Sequence, residues 1–262
     1  MKKTTLLNKM VKELGKSKEE VLPVISHLYI QLCGASGRGG KFGSAKIPVE
    51  YSDLFLDNSP AKDEQKAIYK SLEQYVKTLK RDFVTDGAQK LDDEPIKNLY
   101  LWSDVKGNGK TSTAAALLNE YMFLSWKASV VFKSSMKVPP AYFMEVNSFQ
   151  TLYNKFSRNG IAREIAEETS REYYDIMEIA STAPLVVMDD IATRSATEAF
   201  RADLHDVINK RMVNGLPTIY TSNISINELE HVFDERLANR IHNNSVVLEF
   251  GGNTHRVVLN GK

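Results

Sequence analysis

Residues Leu99 to Leu117 read LYLWSDVKGNGKTSTAAAL. A short apolar run with two aromatic residues leads into the glycine loop Gly107–Gly109, and Lys110 and a run of strong helix formers follow. This is the order strand, phosphate loop, helix, in which glycines let the backbone approach phosphate groups and successive N–H groups face the negative charge. The stretch therefore predicts a nucleotide site between a buried strand and the start of a helix.

Within this loop, the residue types suit a nucleotide and its metal. Lys110 is expected to reach the β- and γ-phosphates, and the Thr111 hydroxyl to bind Mg²⁺. Asp104 departs from the usual GxxxxGK[ST] pattern, since it stands where the first glycine is expected. A glycine-rich turn that happens to precede Lys-Thr is the alternative, and the flanking strand and helix patterns argue against it. The predicted ATP-binding residues of the loop are Gly107, Asn108, Gly109, Lys110, Thr111 and Ser112, of which Lys110 is also counted as catalytic.

A second pattern with chemical meaning is the run from Pro184 to Asp190, PLVVMDD. Its continuous apolar residues are typical of a central strand in a parallel sheet, and its two carboxylates then lie at the end where such sheets bind ligands. We expect Asp189 to hold Mg²⁺ directly or through water, and Asp190 to orient or deprotonate the attacking water. Turn chemistry also favours aspartate at a strand end, so the pair gains its meaning from the phosphate loop upstream.

A further buried strand is predicted over Thr218 to Thr221, and it delivers Ser222 and Asn223 to the same edge of the sheet. A polar side chain at that place can sense the γ-phosphate or position water. Asn223 is therefore a predicted catalytic residue.

Two arginines lie on one face of a predicted helix from Val232 to Ile241. Arg236 and Arg240 are four residues apart, and this spacing places them on the same side. A surface ion pair with Asp234 or Glu235 is one interpretation. The other is an arginine finger, in which the guanidinium serves the nucleotide site of a neighbouring subunit.

Composition and charge exclude several classes of protein. The 262 residues include 34 basic and 33 acidic ones, and the formal charge of +1 favours no charged partner. Cys33 is the only cysteine, which rules out an internal disulfide and a zinc site built on several thiolates. No apolar stretch approaches the length of a membrane span, and the apolar core of a signal peptide is missing. We therefore expect a cytoplasmic protein with no membrane contact.

Residues 1–33 predict a small helical region that docks on a partner. Leu6 and Met10 recur at helical spacing, and Ser17–Glu20 has the form of a capping box ahead of a second helix. The region holds too few apolar residues to be stable without a partner.

Residues 34–46 predict a flexible linker, because five of these thirteen residues are glycine. The N-terminal region would then be tethered to the rest of the chain and not packed on it. Binding of phosphate or single-stranded nucleic acid by Arg38, Lys41 and Phe42 is the alternative.

Shorter patterns predict further elements. Ser59-Pro60 has the form of a helix N-cap followed by proline, so a helix is expected to start there and to reach Leu79. Of the apolar runs Ser129–Lys133 and Ala141–Val146, one or both are expected to be strands.

Taken together, these motifs resemble those of the DnaC/DnaI-type helicase loaders, bacterial or phage-encoded, an AAA+ family related to the replication initiator DnaA and the transposition helper IstB. The resemblance covers about Ile47 to Arg256, and it is the joint order of the motifs that is specific. They are IPVEY (Ile47–Tyr51), GNGKTS (Gly107–Ser112), VVMDDI (Val186–Ile191), INKRM (Ile208–Met212), TIYTSNIS (Thr218–Ser225), DERLANRI (Asp234–Ile241) and Thr254-His255-Arg256.

The resemblance implies an α/β fold, a P-loop AAA+ domain over residues 47–262 with a parallel sheet flanked by helices. By matching position, Asn223 is similar to the family's sensor-1 residue, Arg240 to its arginine finger, acting in trans within a homo-oligomer, and Arg256 to its ATP-binding sensor-2 arginine. The implied partners are a DnaB-type replicative helicase, docked by the N-terminal region, and single-stranded DNA. The implied ligands are ATP and Mg²⁺.

The function that this resemblance implies is ATP-dependent loading of the replicative helicase onto single-stranded DNA, with slow, partner-stimulated hydrolysis. A transposition helper ATPase is the alternative within the same fold. A nucleotide-dependent adaptor or inhibitor that binds helicase with little hydrolysis is the alternative from another class. A metabolic P-loop kinase is disfavoured, because no pattern in the sequence resembles a second substrate pocket.

Overall fold

A computed structural model describes residues 4–14, 29–30, 32–37, 39–84, 95–192 and 196–252. The strands are β1 (Asn98–Trp102), β2 (Tyr142–Glu145), β3 (Val186–Asp189), β4 (Thr218–Ser222) and β5 (Ser245–Glu249). The α-helices in these ranges are α1 (Thr4–Glu13), α2 (Gly40–Gly43), α3 (Lys66–Leu79), α4 (Arg81–Val84), α5 (Lys110–Val131), α6 (Val146–Phe156), α7 (Arg163–Thr182), α8 (Glu198–Val213) and α9 (Glu235–Asn243). Short 3₁₀ helices lie at Val49–Tyr51 and Ile226–His231.

The five strands form one parallel sheet in the order β2-β3-β4-β1-β5. Parallel strands need crossover connections, and here helices supply them and cover both faces of the sheet. The predicted parallel sheet flanked by helices is confirmed. Because all strands run the same way, the glycine loop after β1, the aspartates at the end of β3 and the polar residues at the end of β4 meet at one edge.

The sheet separates two apolar clusters, since successive side chains of a strand point to opposite faces. Leu99, Leu101 and Ile219 belong to the cluster that contains α5, α3 and α1. Tyr100 and Tyr220 belong to the other cluster, under α6 to α9. Burial on both faces explains why the inner strands β1 and β3 are apolar at most positions.

Of the shorter predictions, the start of the helix is wrong, and the expectation of one or two strands is confirmed by one strand. Helix α3 begins at Lys66 and not at Ser59-Pro60, because the Ser59 hydroxyl makes a hydrogen bond of 2.5 Å with the Tyr69 hydroxyl and caps no helix. Of the two candidate strands, only Ala141–Val146 contains one, β2. The first residues of Ser129–Lys133 instead continue α5, which ends at Val131.

The N-terminal helix is packed on the rest of the protein, so the prediction of a tethered region is wrong for α1. The backbone N–H groups of Thr5 and Leu6 donate to the Asp53 carboxylate at 2.8 and 2.9 Å, which satisfies the first turn of the helix. Leu6 and Met10 are fully buried in the cluster around α5. Lys9 adds ion pairs to Asp57 at 3.1 Å and to Glu120 of α5 at 3.3 Å.

The described residues of 34–46 are likewise packed, and the prediction of a flexible linker there is wrong. Phe42 of α2 is 2% exposed, and Ala45 is fully buried. The carbonyl of Ala45 also accepts a hydrogen bond from the Phe143 N–H of β2 at 2.8 Å. The prediction of flexibility rested on the number of glycines in the segment. The buried side chain of Phe42 nevertheless anchors it. The division at residues 33 and 46 stays a prediction, and Arg38 and Ser17–Glu20 lie outside the described residues.

A buried arginine joins α7, α8 and β4 at the edge of the sheet where β4 begins. The Arg211 guanidinium donates to Thr218 Oγ1 at 2.8 Å, to the carbonyls of Ala180 and Ala183 at 2.8 Å, and to the Pro217 carbonyl at 2.7 Å. Burial lowers the pKa of Arg211 to about 10, so it stays protonated at neutral pH. These bonds tie the end of α8 to the end of α7 and to the start of β4.

In the described part of the chain, none of the helices combines the length and the apolar composition needed to cross a bilayer.

Candidate nucleotide site

A pocket of about 430 Å³ lies at the carboxyl edge of the sheet. The glycine loop, the aspartates at the end of β3 and the polar residues at the end of β4 all line it. The segment before α3 closes one side with Tyr51, Pro60 and Ala61. The predicted site residues that line it are Gly107, Asn108, Gly109, Lys110, Thr111, Ser112, Asp189, Asp190 and Asn223.

Gly109 is required by the shape of the loop. Its φ of +99° lies in the left-handed region, which side chains other than hydrogen disfavour. A Cβ atom at this position would lie 2.5 Å from the Cβ of Ala61. The sequence therefore needs glycine here both for the turn into α5 and for close packing under the loop.

Lys110 begins α5 and is 7% exposed. Its ammonium group donates to the carbonyls of Ser103 at 3.3 Å and Val105 at 2.9 Å, and to Asn108 Oδ1 at 3.3 Å. All three acceptors lie between the end of β1 and Gly109. The charge is thus held at the loop, where a phosphate oxygen would be a stronger, charged acceptor.

Asn108 presents its side chain to the protein and not to the pocket. The side chain is fully buried, and Nδ2 donates to Ser103 Oγ at 2.7 Å and to the Phe250 carbonyl at 2.9 Å. It therefore ties the glycine loop to the end of β5. For ligand binding, this leaves the backbone of Asn108.

Thr111 and Asp189, the two predicted Mg²⁺ ligands, are adjacent. The Asp189 carboxylate accepts from the Thr221 hydroxyl at 2.6 Å and also interacts with the Thr111 hydroxyl. Burial raises the pKa of Asp189 above its usual range, and the hydrogen bonds from Thr221 and Thr111 oppose that shift. A cation next to this carboxylate would favour the ionised form.

The donor set fits Mg²⁺ bound together with a nucleotide. Mg²⁺ takes oxygen ligands, commonly one or two from the protein with the rest from phosphates and water. Thr111 and Asp189 supply a hydroxyl and a carboxylate of that kind. Among residues that the structure describes, no group of three or more histidine, cysteine or acidic side chains could hold a metal. The site therefore suits a metal that arrives with phosphate oxygens.

Asp190 is held in place by two amide side chains. Asn147 Nδ2 donates to Asp190 Oδ2, and Asn223 Nδ2 donates to Asp190 Oδ1, both at 2.8 Å. The backbone of Asp190 has a φ of +57°, and its N–H donates to Thr221 Oγ1 at 2.9 Å. The left-handed turn ends β3 and turns the second carboxylate toward the two amides.

Sequence reasoning missed Asn147 and Thr221. Asn147 lies just after β2, whose partner is β3, and a polar residue at the end of a predicted strand is the signal that could have found it. Thr221 was assigned only to a buried strand. Its importance depends on its register against β3, which the sequence does not show.

Arg240 lies at the opposite edge of the sheet from Lys110. It lines a second cleft with Asn98, which begins β1, and Asn244, which precedes β5. Its Nη1 donates to Asn209 Oδ1 of α8. Within one chain it therefore does not contribute to the pocket. Arg256 lies outside the described residues, and its role stays a prediction.

No family model matches the chain. The replicative helicase loader DnaI of Bacillus subtilis (strain 168) is 28% identical over 138 residues. The match spans 52% of this chain and 36% of that protein, so just over a third of the relative's length is covered.

Solved structures share the fold at low sequence identity. A crystal structure of DnaI matches with a TM-score of 0.52 and 18% identity, covering 81% of this chain and 99% of that chain. A crystal structure of the DnaC helicase loader matches with a TM-score of 0.51 and 17% identity, covering 78% and 100%. AMPPCP-bound DnaA from Aquifex aeolicus matches with a TM-score of 0.50 and 14% identity, covering 78% and 51%. Sequence and fold thus confirm that this chain resembles the DnaC/DnaI-type helicase loaders, and its parallel sheet with flanking helices has the fold of the DnaI, DnaC and DnaA structures.

Proposed function

We propose that this chain is an ATP-dependent loader that places a DnaB-type replicative helicase on single-stranded DNA. The observation that carries the proposal is the meeting of Lys110, Thr111 and Asp189 in one pocket. Separate sequence motifs supply an ammonium group for the phosphates of a nucleoside triphosphate, and a hydroxyl and a carboxylate for its metal. The likeness to helicase loaders supplies the partner.

For ATP binding, the loop residues 107–112 would surround the phosphates with backbone N–H groups, and Lys110 would add its charge. Tyr51, Pro60 and Ala61 offer an apolar wall to the rest of the nucleotide. Thr111 and Asp189 would hold Mg²⁺, which, when bound, neutralises charge on the β- and γ-phosphate oxygens. Arg256 is proposed as a further contact to the nucleotide.

For hydrolysis, Asp190 is the proposed base or orienting group for the attacking water. Its two amide partners, Asn147 and Asn223, fix the direction of its carboxylate. Arg240 lies at the edge of the sheet opposite the pocket and therefore cannot reach the nucleotide of its own chain. We propose that it acts on the nucleotide of a neighbouring copy. The ATPase is therefore expected to need an oligomer, and to be slow until a partner promotes assembly.

Replacing Lys110 by alanine is expected to lower ATP affinity by about 10- to 150-fold, because a charge-assisted contact to phosphate contributes about 1.5–3 kcal/mol. Titration with a fluorescent ATP analogue measures this. Lys106→Ala, a lysine exposed at the rim of the same loop, is the matched control and should retain affinity within about threefold. Unchanged affinity in Lys110→Ala would mean that the phosphate loop is wrongly assigned.

The helicase partner is tested with the full chain, because α1 packs on the ATPase domain. With ATP present, the chain should retain a DnaB-type helicase in a pull-down, and amide hydrogen exchange should slow in α1 on binding. The ATP-bound oligomer is measured with and without helicase. Hydrogen exchange in helix α9, at the proposed subunit contact, should then be the same in both samples and serves as the internal comparison. Failure to retain helicase, or retention of a transposase instead, would contradict the loader function.

A further inference from the structure

Thr221 stands beside the end of β3, where both aspartates lie. Met188 of β3 pairs with Tyr220 of β4, so the next residues in register are Asp189 and Thr221. Thr221 is 2% exposed and lies at the wall of the pocket. A hydroxyl buried to this degree needs hydrogen-bond partners in the protein or in a ligand.

The single hydroxyl of Thr221 serves both aspartates at once. It donates to Asp189 Oδ1 at 2.6 Å and accepts from the Asp190 N–H at 2.9 Å. The carbonyl of Thr221 accepts from the Ile191 N–H at 3.0 Å, which fixes the chain on the far side of the pair. A hydroxyl can donate and accept simultaneously, and a valine of the same shape can do neither.

The Asp190 contact bears on the backbone turn. A φ of +57° is disfavoured for a residue with a side chain, because it brings the Cβ atom too close to the following carbonyl oxygen. The N–H contact to Thr221 offsets part of that cost. The same turn places the Asp190 carboxylate between Asn147 and Asn223.

We propose that Thr221 is a positioning residue for the metal and the attacking water, because its hydroxyl orients the Asp189 carboxylate and holds Asp190 in its left-handed turn. The inference rests on the proposed ATPase function. It assigns to Thr221 a role that neither the phosphate loop nor the acidic pair implies.

Thr221→Val removes both contacts and keeps the volume. We expect the Mg²⁺ concentration that half-saturates thermal stabilisation by a non-hydrolysable ATP analogue to rise about tenfold or more, as when a partner of a metal ligand is lost. Affinity for the analogue without Mg²⁺ should be unchanged, since the glycine loop is untouched. Turnover should fall. Thr221→Ser keeps the hydroxyl and should therefore have the Mg²⁺ requirement and the turnover of the unchanged protein.

Thr218→Val is the matched control, at the other end of the same strand. Thr218 Oγ1 accepts from Arg211 Nε at 2.8 Å, so this variant should lose thermal stability without a change in the Mg²⁺ requirement. If Thr221→Val does not fold, Thr221→Cys replaces it, because a thiol is only a weak donor and acceptor.

The outcomes separate this inference from the proposed function. If the unchanged protein shows no stabilisation by Mg²⁺ with the analogue, the proposed function fails and this inference fails with it. If the unchanged protein is stabilised and Thr221→Val has the same Mg²⁺ requirement and turnover, only the role of Thr221 is overturned. A shift shared equally by Thr218→Val would also overturn it, because the effect would then be one of general stability.

Discussion

Arg240→Ala is expected to lower ATP turnover by about 1,000-fold, the lower end of what an arginine finger contributes. ATP affinity should stay within about threefold, because Arg240 lies at the opposite edge of the sheet from the pocket of its own chain. The guanidinium would stabilise charge that develops in the transition state on the nucleotide of the next copy. Steady-state turnover and titration with a fluorescent ATP analogue measure the two quantities on the assembled oligomer.

Two controls separate this role from a structural one. Asn209→Ala removes the acceptor of Arg240 Nη1 while it keeps the guanidinium, so it should retain most turnover. Arg236→Ala makes the same charge change one turn earlier on α9, at an exposed position, and should also retain turnover.

Mixing two inactive variants tests action between copies. A Lys110→Ala subunit binds ATP weakly but still carries Arg240, and an Arg240→Ala subunit still carries a complete pocket. Oligomers that contain both should therefore recover part of the turnover. Mixed oligomers that form and stay inactive would rule out the role in trans.

The second large effect is expected for Asp190→Asn, with turnover lowered by about 1,000-fold, within the range that general bases contribute. Asparagine keeps the shape but cannot take a proton from water. It also tolerates the left-handed backbone, at φ +57°, better than other residues with a side chain, so the variant should fold. ATP should still bind, and the ATP-bound oligomer with helicase should accumulate.

Single-turnover hydrolysis and the lifetime of the helicase complex measure this prediction. Asp206→Asn is the matched control: it makes the same chemical change on α8, where Asp206 pairs with Lys210 at 2.7 Å on the surface. Its turnover should be near that of the unchanged protein, because exposed ion pairs contribute little. Undiminished hydrolysis in Asp190→Asn would show that another group activates the water.

The parts of the site that could be predicted are those with local chemical constraints. The turn at Gly109 requires glycine, and the apolar run before Asp189 requires a strand buried on both faces. Both constraints operate over a few residues, so a short motif carries them. Parallel strands then explain why the two motifs share one edge.

The parts that failed depend on distant contacts. The stretch 34–46 has the composition of a linker, yet Phe42 is buried against residues far along the chain. Ser59 has the form of a cap, yet its hydroxyl bonds to Tyr69. In both segments, a contact outside the local sequence pattern competes with the local preference and decides the conformation.

By itself, the sequence determined the class of fold, the glycine loop and the identity of the two carboxylates, because local backbone preference and apolar periodicity act on neighbouring residues. Only the tertiary structure decided that α1 packs against α5, that Asn147 and Asn223 hold Asp190, and that Thr221 serves both aspartates. The physical reason is that strand register and side-chain burial arise from contacts between residues far apart in the chain.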